Sequence, residues 1–173
     1  MNTYEFTLRF ALSDPAVSVE ERLERLAAAG CDDALPGIGH AGSIALAFTR
    51  SAASARRAVL GAVSDATRAM PGARPVEASP DLVGLTDVAA LMGFSRQNMR
   101  QLMRGGGPVA AHDGKPALWH LADILEWLAD VRGYAVSPAL RELAEVTRQL
   151  NLGMGAEQID AGFQRALRTA VAG

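Results

Sequence analysis

The stretch Leu85–Leu102 reads LTDVAALMGFSRQNMRQL and predicts two short helices separated by a turn. In its first half, apolar residues recur at helical spacing behind Thr86, a candidate N-cap. Gly93 breaks this pattern, and Ser95 then provides the N-cap of a second helix that runs to about Arg104. Two helices joined by a turn of three to four residues that contains glycine form a helix-turn-helix pattern.

The second helix is two-sided on a helical wheel of 100° per residue. One side holds two methionines and a leucine, and the other holds only arginine and glutamine, with an asparagine at the border. The polar residues of this segment are Ser95, Arg96, Gln97, Asn98, Arg100, Gln101 and Arg104. Arginine can bond two acceptors of guanine, glutamine can bond adenine, and arginine also neutralises phosphates. A solvated helix face is the alternative interpretation, but such faces usually mix glutamate with arginine. The absence of acids therefore favours a face that meets a polyanion.

A glycine-rich loop ending in Pro108 follows, and the pattern then changes to short strands. We expect strands at Val109–Ala111 and Ala117–Trp119, joined at His112–Lys115, because the Asp-Gly pair inside this segment favours a hairpin turn. A last helix is predicted over about Ala122–Val131. Its inward-facing residues are expected to be Ile124, Leu125, Trp127, Leu128 and Val131.

Together these segments resemble the winged helix-turn-helix domain of the MerR/excisionase superfamily. The resemblance rests on the run 85–102, the hairpin that ends in Trp119, and the sequence DILEWL at 123–128. It implies that the second helix enters the major groove of double-stranded DNA and that the hairpin is the wing. The base-reading residues implied by it are Arg96, Gln97, Asn98, Arg100 and Gln101. It also implies phosphate contacts from Ser95 and Lys115.

Two positions depart from the family pattern. Family wings are often rich in arginine, whereas this one offers only Lys115 and His112. The position before Asp123 is often serine or threonine, and here it is Ala122. A weak wing implies modest affinity for each protomer. A homodimer would double the contacts and restore both affinity and specificity.

Residues 1–79 follow a different order of patterns: strand, helix, strand, strand, helix, strand. The predicted strands are Tyr4–Leu12, Cys31–Pro36, Ser43–Thr49 and Pro75–Ala78, and the predicted helices are about Ser18–Ala29 and Ser54–Met70. The helix residues expected to face inward are Val19, Leu23, Leu26, Ala27, Val59, Leu60, Val63 and Ala66. This order is that of a ferredoxin-like domain, one antiparallel sheet with two helices on one face. The predicted class is α+β, with a ferredoxin-like domain at 1–79 and a winged helix-turn-helix at 82–133.

The segment 137–173 is predicted to be helical. Ser137-Pro138 is a typical helix start, and the break between two helices is expected at Asn151–Gly155. The second helix, about Ala156–Val171, carries an apolar stripe of Ile159, Phe163, Leu167 and Val171. Such a stripe can pack on the body of the same chain or on a second chain, and the pattern alone does not decide between them.

Gly37, Gly39 and Gly42 have the G-x-G-x-x-G spacing of dinucleotide-binding loops. That function requires a helix after the glycines, so that phosphate meets the helix N-terminus, and here a strand is predicted instead. We therefore interpret them as the loop of a hairpin and expect no cofactor.

Composition favours a soluble cytoplasmic protein without enzymatic activity. The net charge is −2, Lys115 is the only lysine, and Cys31 is the only cysteine, so an internal disulfide is excluded. We expect Cys31 to be a buried structural thiol. The histidines, His40, His112 and His120, lie too far apart to predict a metal site. Neither a signal peptide pattern nor an apolar run of membrane length is present, and no catalytic set is recognised.

Two functions fit these patterns. The first is a sequence-specific DNA-binding regulator, which the acid-free Arg/Gln helix favours. The second is an antitoxin-like or excisionase-like accessory factor whose N-terminal domain binds a protein partner. The near-neutral winged domain and the large N-terminal module, which has no ligand signature, favour this second function.

Overall fold

A computed structural model describes residues 1–14, 17–38 and 42–172 of this mixed α+β protein. The first six elements are β1 (Asn2–Ala11), α1 (Val19–Ala28), β2 (Ala34–Ile38), β3 (Ser43–Ala52), α2 (Ala55–Ala69) and β4 (Arg74–Ser79). The next five are β5 (Leu82–Val83), α3 (Leu85–Met92), α4 (Arg96–Arg104), β6 (Trp119–His120) and α5 (Leu121–Asp130). Two helices follow, α6 (Pro138–Ala156) and α7 (Ala161–Val171).

The first four strands form one antiparallel sheet in the order β2-β3-β1-β4. Burial alternates along β1, so that one face of the sheet is covered by α1 and α2. The buried strand residues are Tyr4, Phe6, Leu8, Phe10, Ile44, Leu46 and Phe48. Phe6 and Phe48 are opposite each other, and their rings stack with centroids 5.2 Å apart. The predicted order of strands and helices over 2–79 is confirmed, with bounds shifted by a few residues.

The inward faces of α1 and α2 differ from those predicted. Leu60 is 52% exposed, Val19 and Ala27 are also exposed, and Val63 is only partly buried. The buried side of α2 consists mainly of alanines, namely Ala55, Ala58, Ala62, Ala66 and Ala69 beside Val59. Small side chains allow the helix to approach the sheet closely, and a search for large apolar residues overlooks such a face. On α1, Arg22 is buried because its guanidinium bonds the backbone carbonyl of Asp14.

A network around Arg50 ties the sheet to α2. Its guanidinium bonds both carboxylate oxygens of Asp33, at 2.6 and 2.9 Å, and Asp65 on α2 at 2.9 Å. The hydrogen bonding that Arg50 donates to Asp33 is the main cause that raises the pKa of Arg50. Cys31 lies nearby and is buried, as predicted, and this burial raises the pKa of its thiol. Residues 39–41, which include His40 and part of the G-x-G-x-x-G run, lie outside the described residues, so the interpretation of these glycines is not addressed.

The region after β4 confirms two helices at the predicted helix-turn-helix, but the predicted strands only in part. Residues 105–118, all of them described, belong to no strand, so the one predicted at Val109–Ala111 is wrong. The one predicted at Ala117–Trp119 is found as β6, shifted to Trp119–His120. A single bridge between His112 and Leu118 closes the loop. Trp119 instead pairs with Val83, and its indole N–H donates to the Pro108 carbonyl at 3.1 Å.

Three smaller predictions in this region are also wrong. The N-cap of α3 is Gly84, whose N–H donates to Asp87 Oδ2 at 2.9 Å, and Thr86 lies inside the helix. Val131 is 70% exposed because α5 ends at Asp130. The expected break at 151–155 is absent, and α6 is continuous to Ala156.

The helix α6 packs on its own chain and serves two apolar cores. Leu143 belongs to the core beneath the sheet, and its neighbour Ala144 belongs to the core formed by α3, α4 and α5. The second core contains Val83, Val88, Met99, Leu102, Leu121, Ile124, Leu125, Trp127 and Leu128. The helix α7, all of whose residues are described, contains no buried residue.

Side chains of α6 also hold the backbone between the two cores. The Asn151 amide donates to the Ala78 carbonyl at 2.8 Å, and its oxygen accepts from the Ala78 N–H at 2.7 Å. Asn151 further donates to Asp81 Oδ2 at 2.7 Å, and the Thr147 hydroxyl donates to the Pro80 carbonyl at 2.6 Å. The other Asp81 oxygen is hydrogen-bonded to His120 Nδ1 at 2.7 Å. These contacts favour a helical position for Asn151, at which the sequence pattern predicted the start of a break.

We expect Asn151→Ala to lower the free energy of unfolding by roughly 1–3 kcal/mol, because it leaves buried polar groups without partners. Urea denaturation followed by circular dichroism measures this loss. The matched control is Gln149→Ala, which removes only an exposed bond to Glu145 and is expected to stay within about 0.5 kcal/mol of the parent. Equal losses in both variants would contradict the assigned role of Asn151.

Candidate nucleic-acid interface

The turn between α3 and α4 fixes the direction of the second helix. Gly93 has φ +67°, a left-handed conformation that glycine adopts without strain. The Phe94 N–H donates to the Ala89 carbonyl at 2.8 Å, and the Gly93 N–H donates to the Ala90 carbonyl at 3.3 Å. This is the bonding of a Schellman motif, which ends α3 and redirects the chain. The Phe94 ring packs on Tyr134 at 5.0 Å between centroids.

One side of α4 anchors the helix to the protein. Ser95 is the N-cap, and its Oγ accepts from the Asn98 N–H at 3.1 Å, as predicted. Met99 is fully buried, Leu102 is buried, and Met103 is partly buried. Because Ser95 Oγ accepts the capping bond, its hydroxyl proton remains free to donate to another acceptor.

The other side of α4 carries the polar residues that the sequence predicted. The exposed ones are Ser95, Arg96, Gln97, Asn98, Arg100, Gln101 and Arg104. Among the residues that the structure describes, none pairs with the guanidinium groups of Arg96, Arg100 and Arg104. By contrast, six other arginines form ion pairs, namely Arg9, Arg25, Arg50, Arg68, Arg141 and Arg148. The α4 face therefore presents positive charge that no acidic side chain among the described residues neutralises.

The arginines of α4 form a line of defined length. They are spaced by four residues, so the Cα atoms of Arg96 and Arg104 lie about 12 Å apart along the helix axis. Three to four base pairs occupy about the same length of a DNA duplex at roughly 3.4 Å per step. The major groove is wide enough to admit an α-helix. The exposed face is thus matched in length and charge to a short segment of one groove.

Lys115 is not part of α4 and follows it in the sequence. It is exposed and occupies the loop between α4 and β6 that the His112–Leu118 bridge closes. The predicted hairpin wing is therefore replaced by a short loop. Pro116 lacks a backbone N–H, and Val109 is 91% exposed, so these residues lack the bonds and the buried face that a strand needs.

Arg132 is a further basic residue at this site, and sequence patterns did not single it out. A Cβ built on Gly105, directly after α4, would lie 3.5 Å from Arg132 Nη1. The guanidinium also lies over the Trp127 ring, 5.6 Å from its centroid. Arg132 follows α5 and reaches α4 only through tertiary packing, which explains why no local pattern identifies it.

Other kinds of site find little support in the part of the chain that is described. Across residues 1–14, 17–38 and 42–172, no three histidine, cysteine or acidic side chains are grouped as metal ligands. Within the same ranges, every helix falls short of the length and apolar character that a membrane crossing requires. The polar face of α4 therefore remains the strongest candidate.

Comparison with known proteins adds no assignment. No protein-family model, no curated protein sequence and no solved structure matches the chain. The case for the site consequently rests on the residues and geometry of α4 and its neighbours.

The two sides of α4 are expected to respond differently to truncation. Met99→Ala should destabilise the fold by about 2–5 kcal/mol because it leaves a cavity in the core. Arg100→Ala, one residue away on the exposed side, should change stability by no more than about 0.5 kcal/mol. Thermal and urea unfolding of both variants measure these effects. A large loss of stability in Arg100→Ala would show that this arginine has a structural role.

Proposed function

We propose that the protein is a sequence-specific double-stranded DNA-binding protein, probing the major groove with α4 and acting in transcriptional regulation. The observation that carries this proposal is the exposed Arg/Gln face of α4, whose three arginines find no acidic partner among the described residues. Because these side chains have no structural role, the face that carries them is suited to binding an external polyanion. Arg96, Gln97, Asn98, Arg100 and Gln101 are the proposed base readers.

Phosphate contacts complete the proposed interface. Ser95 has a free hydroxyl proton at the start of α4, and Arg104 and Arg132 lie at its other end. Lys115 lies on the loop that the His112–Leu118 bridge closes. It is the proposed phosphate contact at the position where the MerR/excisionase family has its wing. Contacts at both ends of a helix fix its register in the groove, while the side chains between them read the sequence.

The proposal also assigns a fold type to each of two parts of the chain. The strand order β2-β3-β1-β4 and the alternation of elements over 2–79 support a ferredoxin-like domain. The succession α3, turn, α4, loop, β6 and α5 supports a winged helix-turn-helix with a reduced wing. In the proposed wing, a bridge between His112 and Leu118 stands in front of β6.

A homodimer is part of the proposal, with α7 as its contact. This helix has 11 residues, and isolated helices shorter than about 12–15 residues are marginal in water. Its apolar residues are exposed, with Phe163 at 62%, Leu167 at 46% and Val171 at 78%. Packing α7 against a second copy would bury this stripe and present two α4 helices to adjacent half-sites.

Binding to a protein partner is the second candidate function, in the manner of an antitoxin-like or excisionase-like accessory factor. The observation that favours it is an open apolar cleft between the N-terminal sheet and α3. This function is compatible with DNA binding, because the cleft and the exposed face of α4 involve different residues.

Selection of random duplex DNA on the purified protein tests the main proposal. We expect an enriched motif with two half-sites, and an affinity that falls steeply with salt. In the enriched duplex, Arg100→Ala should cost about 1–3 kcal/mol of binding free energy and relax specificity at one position. Lys115→Ala should weaken binding to all sequences about equally. If neither substitution alters the affinity, α4 is not the DNA-binding element.

The dimer is tested by Phe163→Glu, which places a charge in the apolar stripe of α7. Sedimentation equilibrium at micromolar concentration is expected to show a dimer for the parent protein and a monomer for this variant. The control Leu60→Glu makes the same change at an exposed leucine of α2 and should remain dimeric. A parent protein that sediments as a monomer would refute the proposed contact.

A further inference from the structure

The cleft beside the sheet has a volume of about 840 Å³. Five consecutive residues of β1, Thr3–Thr7, line it, and so do Ala47, Phe48 and Thr49 of β3. Ser79 and Pro80 line it too, so the cleft reaches from the two strands to the point where β4 stops pairing with β1. The opposite wall is formed by α3 and the first turns of α6.

The edge of β1 at this cleft has no strand beside it. On one side, β3 pairs with β1 over the whole length Asn2–Ala11. On the other side, β4 pairs only with Thr7–Ala11, and the chain then leaves the sheet towards β5. In the described part of the chain, no strand therefore pairs with Asn2–Phe6 on the β4 side. A strand edge of this kind offers N–H and C=O groups to an added strand.

The outer edge of β4 is different, because it is already covered. Asn151 of α6 supplies both a donor and an acceptor to the backbone of Ala78. This amide takes the place of a neighbouring strand at that point. The open half of β1 therefore differs from the neighbouring edge of β4, which α6 covers at Ala78.

The side chains around the open edge define the chemistry of an occupant. Leu82 and Leu91 line the cleft and are 51% and 43% exposed. Its charged groups are two carboxylates, Glu5 on β1 and Asp87 on α3. No arginine, lysine or histidine is present among the described residues that line it. An apolar segment that carries a positive charge is complementary to this surface.

We propose that the cleft binds an extended peptide segment of a partner protein, which adds to the edge of β1 as a short fifth strand. The open edge Asn2–Phe6 accommodates about five residues, or roughly 16 Å of extended chain. Alternate side chains of the peptide pack on Leu82 and Leu91, and a lysine or arginine lies beside Glu5. Main-chain bonds supply affinity and the side-chain contacts supply specificity, as in other cases of strand addition. The proposal rests on the second candidate function, the binding of a protein partner at this cleft, and does not depend on DNA binding.

The first test is selection of a displayed library of random linear 12-residue peptides on the full chain. We expect enriched peptides with alternating apolar residues and at least one lysine or arginine. Glu5→Lys should weaken binding of a synthetic enriched peptide about tenfold or more, since it replaces attraction with repulsion. The matched control Glu24→Lys changes an exposed glutamate of α1 and should leave the affinity unchanged.

The second test examines the backbone of the same synthetic peptide. Methylating its amide nitrogens one at a time should abolish binding at alternate positions only, because every second N–H faces β1 in a strand. Equal tolerance at all positions would overturn strand addition, and so would a library that yields no enriched peptide. DNA affinity is measured separately, so these failures leave the α4 proposal unaffected.

Discussion

The contact of α6 with the backbone at the end of β4 and in the segment that leads to β5 is the constraint on which the arrangement of the protein depends. Asn151 and Thr147 bind the main chain at Ala78 and Pro80, and Asp81 links this segment to His120 at the start of α5. Asp81 is buried, so both of its oxygens require partners, and both have them. Since α6 also contributes to each apolar core, the sheet and the helices around α4 are held by one element. The segment between β4 and β5 is consequently held in a defined conformation.

This arrangement leaves two surfaces available on the same chain. The exposed face of α4 is positively charged, and the cleft beside β1 is apolar with two carboxylates. The proposed DNA contact and the proposed peptide contact thus require opposite charges and do not compete for residues. They meet at α3, which packs against α4 and also forms a wall of the cleft. A peptide bound beside Leu91 would therefore touch the helix that supports the proposed base-reading helix.

Local patterns predicted the elements in which buried and exposed residues alternate with the regular period of a strand or a helix. The alternation of Tyr4, Phe6, Leu8 and Phe10 gave a strand, and the Gly93-Phe94-Ser95 sequence gave the turn and the N-cap of α4. Errors arose where a distant partner decides the structure. The continuity of α6 depends on bonds from Asn151 to Ala78, and β6 forms because Trp119 meets Val83 rather than a nearby residue. The polar residues of α4 were predictable because a helical face depends only on spacing, whereas Arg132 is brought there by the tertiary fold.

The separation of the two sides of α4 has a consequence for how such a protein can evolve. Met99 and Leu102 maintain the position of the helix, while the exposed arginines and glutamines have no partners in the described part of the chain. A substitution at Gln97, Arg100 or Gln101 therefore changes the charge or the hydrogen-bonding groups of the exposed face with little loss of folding stability. Duplicated copies of the chain could diverge at these positions one substitution at a time, each copy remaining folded throughout. The same fold could in this way acquire new binding preferences at the exposed face of α4 by drift and selection.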